Sequence, residues 1–304
     1  MVRFIRDIFQ TARAYGRPVV SFEFFPTKSD EAERILLEKT IPALCALTPD
    51  FCSVTYGAGG STRDKTLATV ERIQRDHQLT AMAHLTCVNT TADQTREILQ
   101  QARERGIRNI LALRGDPPAG ASEFVRTEGG FTYSSELVAF IRDFSGFSIG
   151  VAGFPEGHIA CREGKHEDWR RLKGKIDQGA DVIITQLFFD NRHYFECRDF
   201  LARHGVTVPI VPGILPILSA SQIKRFVSLC GAELPQRLLS ELERRGDDDH
   251  AVAEFGIEYA TTQCEELLRE GAPGLHFYTL NKARSTTEVV RNLSVAMAAT
   301  SEMR

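Results

Sequence analysis

No run of this sequence is apolar and long enough to span a bilayer, so the helical membrane classes fall away at once. The first residues, Met1 to Gln10, are amphipathic and interrupted by Arg3, Arg6 and Asp7, so the unbroken apolar core of a signal peptide is missing too. Seven cysteines are scattered without a Cys-x-x-Cys pair, which leaves no zinc site, redox centre or disulfide framework to build on. They read as reduced thiols of a cytoplasmic protein. Basic residues do not cluster with aromatics and the net charge is -3, so no nucleic-acid partner is expected. A Walker phosphate loop is lacking, and the Gly-rich stretch from Tyr56 to Ser61 has Thr62 where a dinucleotide fingerprint needs its last glycine. That stretch is expected to be a tight turn leading into a helix N-cap. Asp247 to Asp249 with His250 are read as a helix cap, because acids just before a helix offset its dipole, and no metal is expected. No Pro/Ser-rich linker divides the 304 residues, so a single domain over 1–304 is expected.

What the chain does contain is alternation. Short β-rich runs are separated by longer segments of helical period, the pattern of parallel strands joined by crossover helices. Eight strands are predicted: Val19 to Phe24, Phe51 to Thr55, Ala81 to Thr86, Asn109 to Leu113, Ser148 to Ala152, Val182 to Gln186, Ile210 to Pro212 and Leu275 to Thr279. Helices are predicted over Asp30 to Leu47, Arg63 to His77, Asp93 to Arg105, Ser134 to Phe144, His166 to Gln178, His193 to His204 and Ser219 to Leu229, with a last one from Lys282. The seventh crossover is oversized, with extra helices near Pro235 to Arg244 and from Asp247 to Glu270. Eight such units favour a (β/α)8 TIM barrel over an open doubly wound sheet, although strand order is not legible from sequence.

In such a barrel, catalytic groups come from the carboxyl ends of different strands. Here those ends are polar: Glu23, Thr55, His84, Arg114 with Asp116, Gln186 and Tyr278. Period-two alternation sets Val19, Ser21 and Glu23 on one face of the first strand and Val20, Phe22 and Phe24 on the other. The aromatic face should meet the helices, which turns Glu23 into the barrel mouth. Burial there disfavours a carboxylate, so its pKa is expected to rise toward neutrality and fit it for general-acid work. Asp168 and Lys175 sit two helical turns apart on one side of a helix near the mouth, where an anionic cofactor would want a cation.

Seven motifs, in order along nearly the whole chain, resemble methylenetetrahydrofolate reductase. They are Ser21 to Pro26, Ser53 to Ala58, His84 to Cys87, Ala112 to Asp116, Ile184 to Asp190, Pro212 to Pro216 and His276 to Asn281. The resemblance implies noncovalent FAD, reduced by NADH or NADPH, which passes hydride to 5,10-methylenetetrahydrofolate to give 5-methyltetrahydrofolate for methionine synthesis. It implies Glu23 and Asp116 as catalytic groups. It implies Thr55, His84, Arg114, Gly115, Asp116, Tyr133, Ala152, Phe154, His158, Asp168 and Lys175 as cofactor contacts, and Glu23, Gln186, Gln222, Phe226, Tyr278 and Lys282 on the substrate side. Phe154 stands where relatives often carry Tyr, and Lys282 where Arg is expected. The loop from Pro117 to Gly130 is longer than in the bacterial enzymes and is expected to cover the site or alter nucleotide choice. The chain ends soon after the last helix, so no appended regulatory domain and no inhibition by S-adenosylmethionine are expected, and a homo-oligomer is. A flavin-independent pterin transferase and a catalytically silent barrel remain open alternatives.

Overall fold

In the computed structural model, which describes residues 2–56, 63–117 and 124–302, the predicted strands form as parallel neighbours. They are β1 (Val19–Phe24), β2 (Phe51–Val54), β3 (Ala81–Thr86), β4 (Asn109–Leu113), β5 (Ser148–Gly153), β6 (Val182–Thr185), β7 (Ile210–Val211), β8 (Gly213–Ile214) and β9 (Gly274–Tyr278). The order is β7-β6-β5-β4-β3-β2-β1-β9-β8. Because β7 and β8 adjoin in the chain, the two ends of that order meet and the sheet closes into a TIM barrel.

The predicted seventh strand is thus found in two pieces. Pro212 lies between them and has no N–H to give a ladder. Its carbonyl still accepts from His276 N–H at 3.0 Å, so β7 serves β6 while β8 serves β9. Beyond the break, Gly213 N–H donates to Thr185 Oγ1 at 2.9 Å, and a Cβ on Gly213 would lie 2.2 Å from Thr185 O. Only glycine lets the chains come that close.

The helices are α1 (Ile5–Ala14), α2 (Asp30–Ile35), α3 (Ile41–Cys45), α4 (Arg63–His77), α5 (Ala92–Glu104), α6 (Ser134–Phe144), α7 (Lys165–Asp177), α8 (Asn191–Arg203), α9 (Ala220–Cys230), α10 (Gln236–Arg245), α11 (Asp249–Arg269) and α12 (Arg284–Glu302). The single helix predicted over Asp30 to Leu47 is broken by a π-helical turn at Leu36–Thr40, where Ile41 N–H donates to Leu36 O. Pro42 follows directly; it cannot donate to the preceding turn and its ring crowds that carbonyl, so the ladder slips by one residue. The acids before α11 cap it as predicted, Asp248 Oδ1 accepting from Ala251 N–H at 3.0 Å. The turn predicted over Tyr56 to Ser61 lies outside the described residues from position 57 on, as do residues 118–123 of the long loop.

The barrel's outer face packs Phe22, Phe24, Val54, Ile110, Val151 and Phe277 against helix residues such as Leu44, Val70, Leu99, Leu137 and Trp169. The alternation read from β1 therefore holds, with Val19 in the interior cluster and Phe22 and Phe24 outside. That interior cluster holds a helix absent from the predicted set. Ile5, Ile8, Phe9 and Ala12 of α1 pack on Val19, Phe51, Met82, Leu111, Val182 and Val211 at the amino-terminal end of the barrel. Asn109 fastens it, Oδ1 accepting from Ile5 N–H at 2.8 Å and Nδ2 donating to Arg3 O at 3.0 Å. One end of the barrel is thereby sealed, and the other is left for a site.

Candidate active site

A cavity of about 1390 Å³ opens at the carboxyl ends of the strands. That exceeds the roughly 300–1,000 Å³ of a drug-sized pocket and leaves room for a dinucleotide beside a second ligand. All the sequence-predicted site residues line it except Gln222 and Lys282. Gln222 is taken up in the first turn of α9, its N–H donating to Ser219 Oγ at 3.2 Å. Lys282 is exposed on the turn after β9, its N–H donating to Thr279 O.

Glu23 lies at the floor, 7% exposed. Its Oε2 accepts from Ser53 Oγ at 3.3 Å and is 3.5 Å from His276 Nε2 and 3.3 Å from His84 Nε2. The His84 contact is close but poorly aligned, so it acts through charge more than as a hydrogen bond. The expected rise in the Glu23 pKa is overturned. Burial does push it up, but the hydrogen bond from His276 and the charge and contact of His84 outweigh burial and hold the carboxyl at about 2. Burial alone leaves out two imidazoles, His276 on the adjoining β9 and His84 on β3, one strand beyond β2. His276 could have been found, because Tyr278 and His276 are two residues apart on β9 and must share a face. Tyr278 itself donates to Thr185 O at 2.5 Å, and its ring stands edge-on to His276 at 5.6 Å.

The opposite wall is cationic. Lys175 of α7 donates to Ala152 O at 3.1 Å; burial pushes its pKa down to about 8, with Asp168 opposing and Arg114 assisting. Asp168 moves up, chiefly through burial, with Lys175 pulling against it. Burial and then Arg114 lower His158, whose Nδ1 accepts from Ala160 N–H at 3.0 Å, so any proton on the neutral ring sits on Nε2. His158 meets the Phe154 ring edge-on at 4.5 Å, and Trp169 Nε1 fixes that loop by donating to Phe154 O at 2.9 Å. Arg114 makes no ion pair among the described residues; its guanidinium lies 5.5 Å over the ring of Phe124, which the long loop brings in. Arg162 and Arg171, not foreseen as site residues, line the same side. Among the described residues Arg114 and Lys175, both half-buried, make no ion pair, and an anionic ligand there would supply one.

Thr55, Gly115, Asp116 and Tyr133 stand on the rim of β2, β4 and the start of α6, with Asp116 and Tyr133 exposed. Gly115 has φ +86, and a Cβ there would meet Val88 Cγ2 at 2.6 Å. Gln186 turns its Oε1 back to Leu187 N–H at 2.9 Å, while Leu111, Ala152, Ile184 and Leu187 give an apolar wall suited to a planar ring. Phe226 and Leu229 line the cavity from α9, Leu229 exposed, and the exposed Ile159 lies against Gly231 at the end of that helix.

The family profile described as methylenetetrahydrofolate reductase matches residues 8–294. The chain is 37% identical over 284 residues to 5,10-methylenetetrahydrofolate reductase of Escherichia coli K12, covering 93% of both. It is 39% identical over 299 residues to methylenetetrahydrofolate reductase (NADH) 1 of Arabidopsis thaliana, covering 95% of this chain and 50% of that protein. A Schizosaccharomyces pombe relative, methylenetetrahydrofolate reductase 1, is 36% identical and 46% covered, so the chain spans about half the length of the plant and yeast relatives it matches. Among solved structures, an uncharacterized Clostridium thermocellum protein that binds two copies of 5-methyl-5,6,7,8-tetrahydrofolic acid aligns with TM-score 0.63 at 17% identity, over 94% of this chain and 97% of that one. At that identity the match speaks for the barrel alone. Fold, motif order and full-length relatives converge: this chain belongs to the methylenetetrahydrofolate reductase family.

Proposed function

We propose that this protein reduces 5,10-methylenetetrahydrofolate to 5-methyltetrahydrofolate with a hydride taken from NADH or NADPH, the two substrates alternating in one cavity that also holds FAD noncovalently. The observation that carries the reading is a single cavity with a buried carboxylate–imidazole cluster on its floor and, on its far wall, Arg114 and Lys175, which make no ion pair among the described residues. The residues present fit a flavin dinucleotide: Arg114 and Lys175 suit its phosphates, and the apolar wall at Leu111, Ala152 and Ile184 suits its ring. Bound there, the flavin would supply the chemistry of accepting one hydride and giving it up again. The names of the plant relatives favour NADH as the donor.

Opening the five-membered ring of the folate requires a proton on the departing nitrogen and an anionic environment for the iminium that forms. Glu23 provides the path for the proton, and Asp116 at the rim provides negative charge near the cationic carbon. Glu23 begins as a carboxylate, so the proton it hands over is drawn from the imidazoles beside it. Phe226 offers a face on which either substrate can stack.

The test is anaerobic and taken in halves. Purified protein should be yellow, bleach on mixing with NADH or NADPH, and regain colour on adding the folate. Glu23→Gln should bleach within about threefold of the parent rate yet regain colour about 10²–10⁴-fold more slowly, the usual worth of a general acid. Colourless protein that takes up no FAD would point to a flavin-independent pterin transferase instead.

A further inference from the structure

Inside the barrel, four neighbouring strands each send polar side chains inward: Ser21 and Glu23 from β1, Ser53 from β2, His84 from β3 and His276 from β9. All are buried, and Ser21, Ser53 and His276 have no exposure at all. The strand register sets Ser21 beside His276 and Glu23 beside Ser53. Polar groups so deep are costly unless their protons are matched to acceptors, so the protons can be counted. Ser53 gives its single proton to Glu23 Oε2. Ser21 Oγ is 3.2 Å from Leu275 O and 2.8 Å from His276 Nδ1. If Ser21 gives its proton to the carbonyl, Oγ accepts Nδ1–H; if it gives it to Nδ1, the neutral ring carries its one proton on Nε2, so on either assignment Nε2–H meets Glu23.

That arrangement fixes the other ring nitrogen. His276 Nε2 lies 3.5 Å from Glu23 Oε2 and 3.5 Å from Ser53 Oγ. A bare lone pair there would face a carboxylate oxygen and be repelled, whereas a proton on it makes an imidazolium–carboxylate pair. The ring is held in place by Phe51, stacked at 6.2 Å and 20°, and by Tyr278 edge-on. Among the described residues the titratable groups around it are Glu23 from β1, Tyr278 from its own strand and, across Glu23, His84 from β3. His84 is the weaker store, since it lines the cavity and its Nε2 is poorly aligned.

We propose that His276 is a positioning residue that stores, on Nε2, the proton Glu23 delivers to the folate. The proposal rests on the folate-reducing reading above and adds the source of the acid. As the carbon–nitrogen bond of the folate ring breaks, its electron pair stays on nitrogen and takes a proton from Glu23. That proton reaches Glu23 from His276 Nε2 as the bond breaks, so Glu23 ends as the carboxylate it began as, and His276 becomes neutral while keeping Nδ1–H toward Ser21. The carbon then receives hydride originating from the nicotinamide nucleotide, and one solvent proton per turnover restores the imidazolium.

Two measurements test this on the intact protein. Side-chain ¹⁵N spectra of histidine-labelled protein, with His276 assigned through His276→Gln, should show both ring nitrogens protonated at pH 7. In stopped-flow halves, His276→Gln should bleach with NADH within about threefold of the parent but regain colour on folate at least about 100-fold more slowly. Ser21→Ala removes the partner of Nδ1 and should change the pH profile of the folate half-reaction while leaving that of bleaching in place. If His276→Gln fails to fold, the Ser21→Ala profile and the parent spectrum decide. An unprotonated Nε2 at pH 7, or a parental rate and pH profile in the variants, overturns the proposal. Parent protein that takes no flavin defeats the functional reading instead, and the spectra still judge the stored proton.

Discussion

Lys175 and Glu23 show at the scale of single residues why burial alone does not fix a charge state. Both are taken from water, and in both burial opposes the charged form. Glu23 has His276 and His84 beside it and ends at about 2. Lys175 has one opposing carboxylate, Asp168, and a second cation, Arg114, and ends at about 8. The unliganded protein therefore begins to lose the Lys175 proton just above neutral pH. An anionic cofactor favours the protonated form, so binding raises the Lys175 pKa and takes up protons where that group is part-titrated. FAD affinity should be level below pH 7 and fall as pH rises through about 8 toward the pKa of the bound state. Fluorescence titrations of FAD between pH 6.5 and 9.5 would show this as about a tenfold loss per pH unit at most. Lys175→Met should bind FAD more weakly and nearly independently of pH; equal slopes in parent and variant would mean that another group carries the dependence.

Strand seven is the element on which closure of the ring depends, and it is held by a glycine beside a proline. Gly213→Ala would set a Cβ 2.2 Å from Thr185 O and 2.7 Å from Tyr278, against a backbone oxygen that cannot retreat without breaking β6. We expect a loss of about 2–4 kcal/mol, in the range of severe overpacking, read as a lowered thermal midpoint. Unchanged stability would show that the seam is looser than its contacts. This break was not legible in the sequence, because proline marks a possible interruption without saying whether pairing resumes on the far side. The strands themselves were legible, since apolar runs such as Val19 to Phe24 have a period and bounded ends. So was the cavity lining: Glu23, Thr55, His84 and Gln186 lie at or near the carboxyl ends of strands, and a parallel barrel brings those ends together. Gln222 was drawn in by family likeness although its α9 position leaves it outside the cavity wall, and the π-helical slip at Pro42 required knowing that the helix continues past it.

Taken whole, the molecule divides the labour of the barrel between its two ends. The carboxyl end is wide, polar and lined by titratable groups, whereas the amino end is closed by α1 with Ile5, Ile8, Phe9 and Ala12 all buried. An open-ended barrel would leave Phe51, Met82, Leu111 and Val211 wet, so the amphipathic N-terminal segment supplies apolar cover that the strands cannot supply for themselves. The two ends should then respond separately to mutation. Ile8 is 1% exposed, and Ile8→Ala should cost about 2–5 kcal/mol through lost burial and a residual cavity. For a domain of this size that lowers Tm by roughly 4–10 °C. Because α1 shares with the cavity wall the packed side chains of Leu111 and Ile184 and lies at the other end of the barrel from the cations, FAD affinity at 25 °C should fall by no more than about threefold. Calorimetry paired with the fluorescence titration checks both halves: a stable variant would remove α1 from the core, and a variant that keeps its Tm margin at 25 °C yet binds FAD tenfold more weakly would show that the sealed end sets the geometry of the open one.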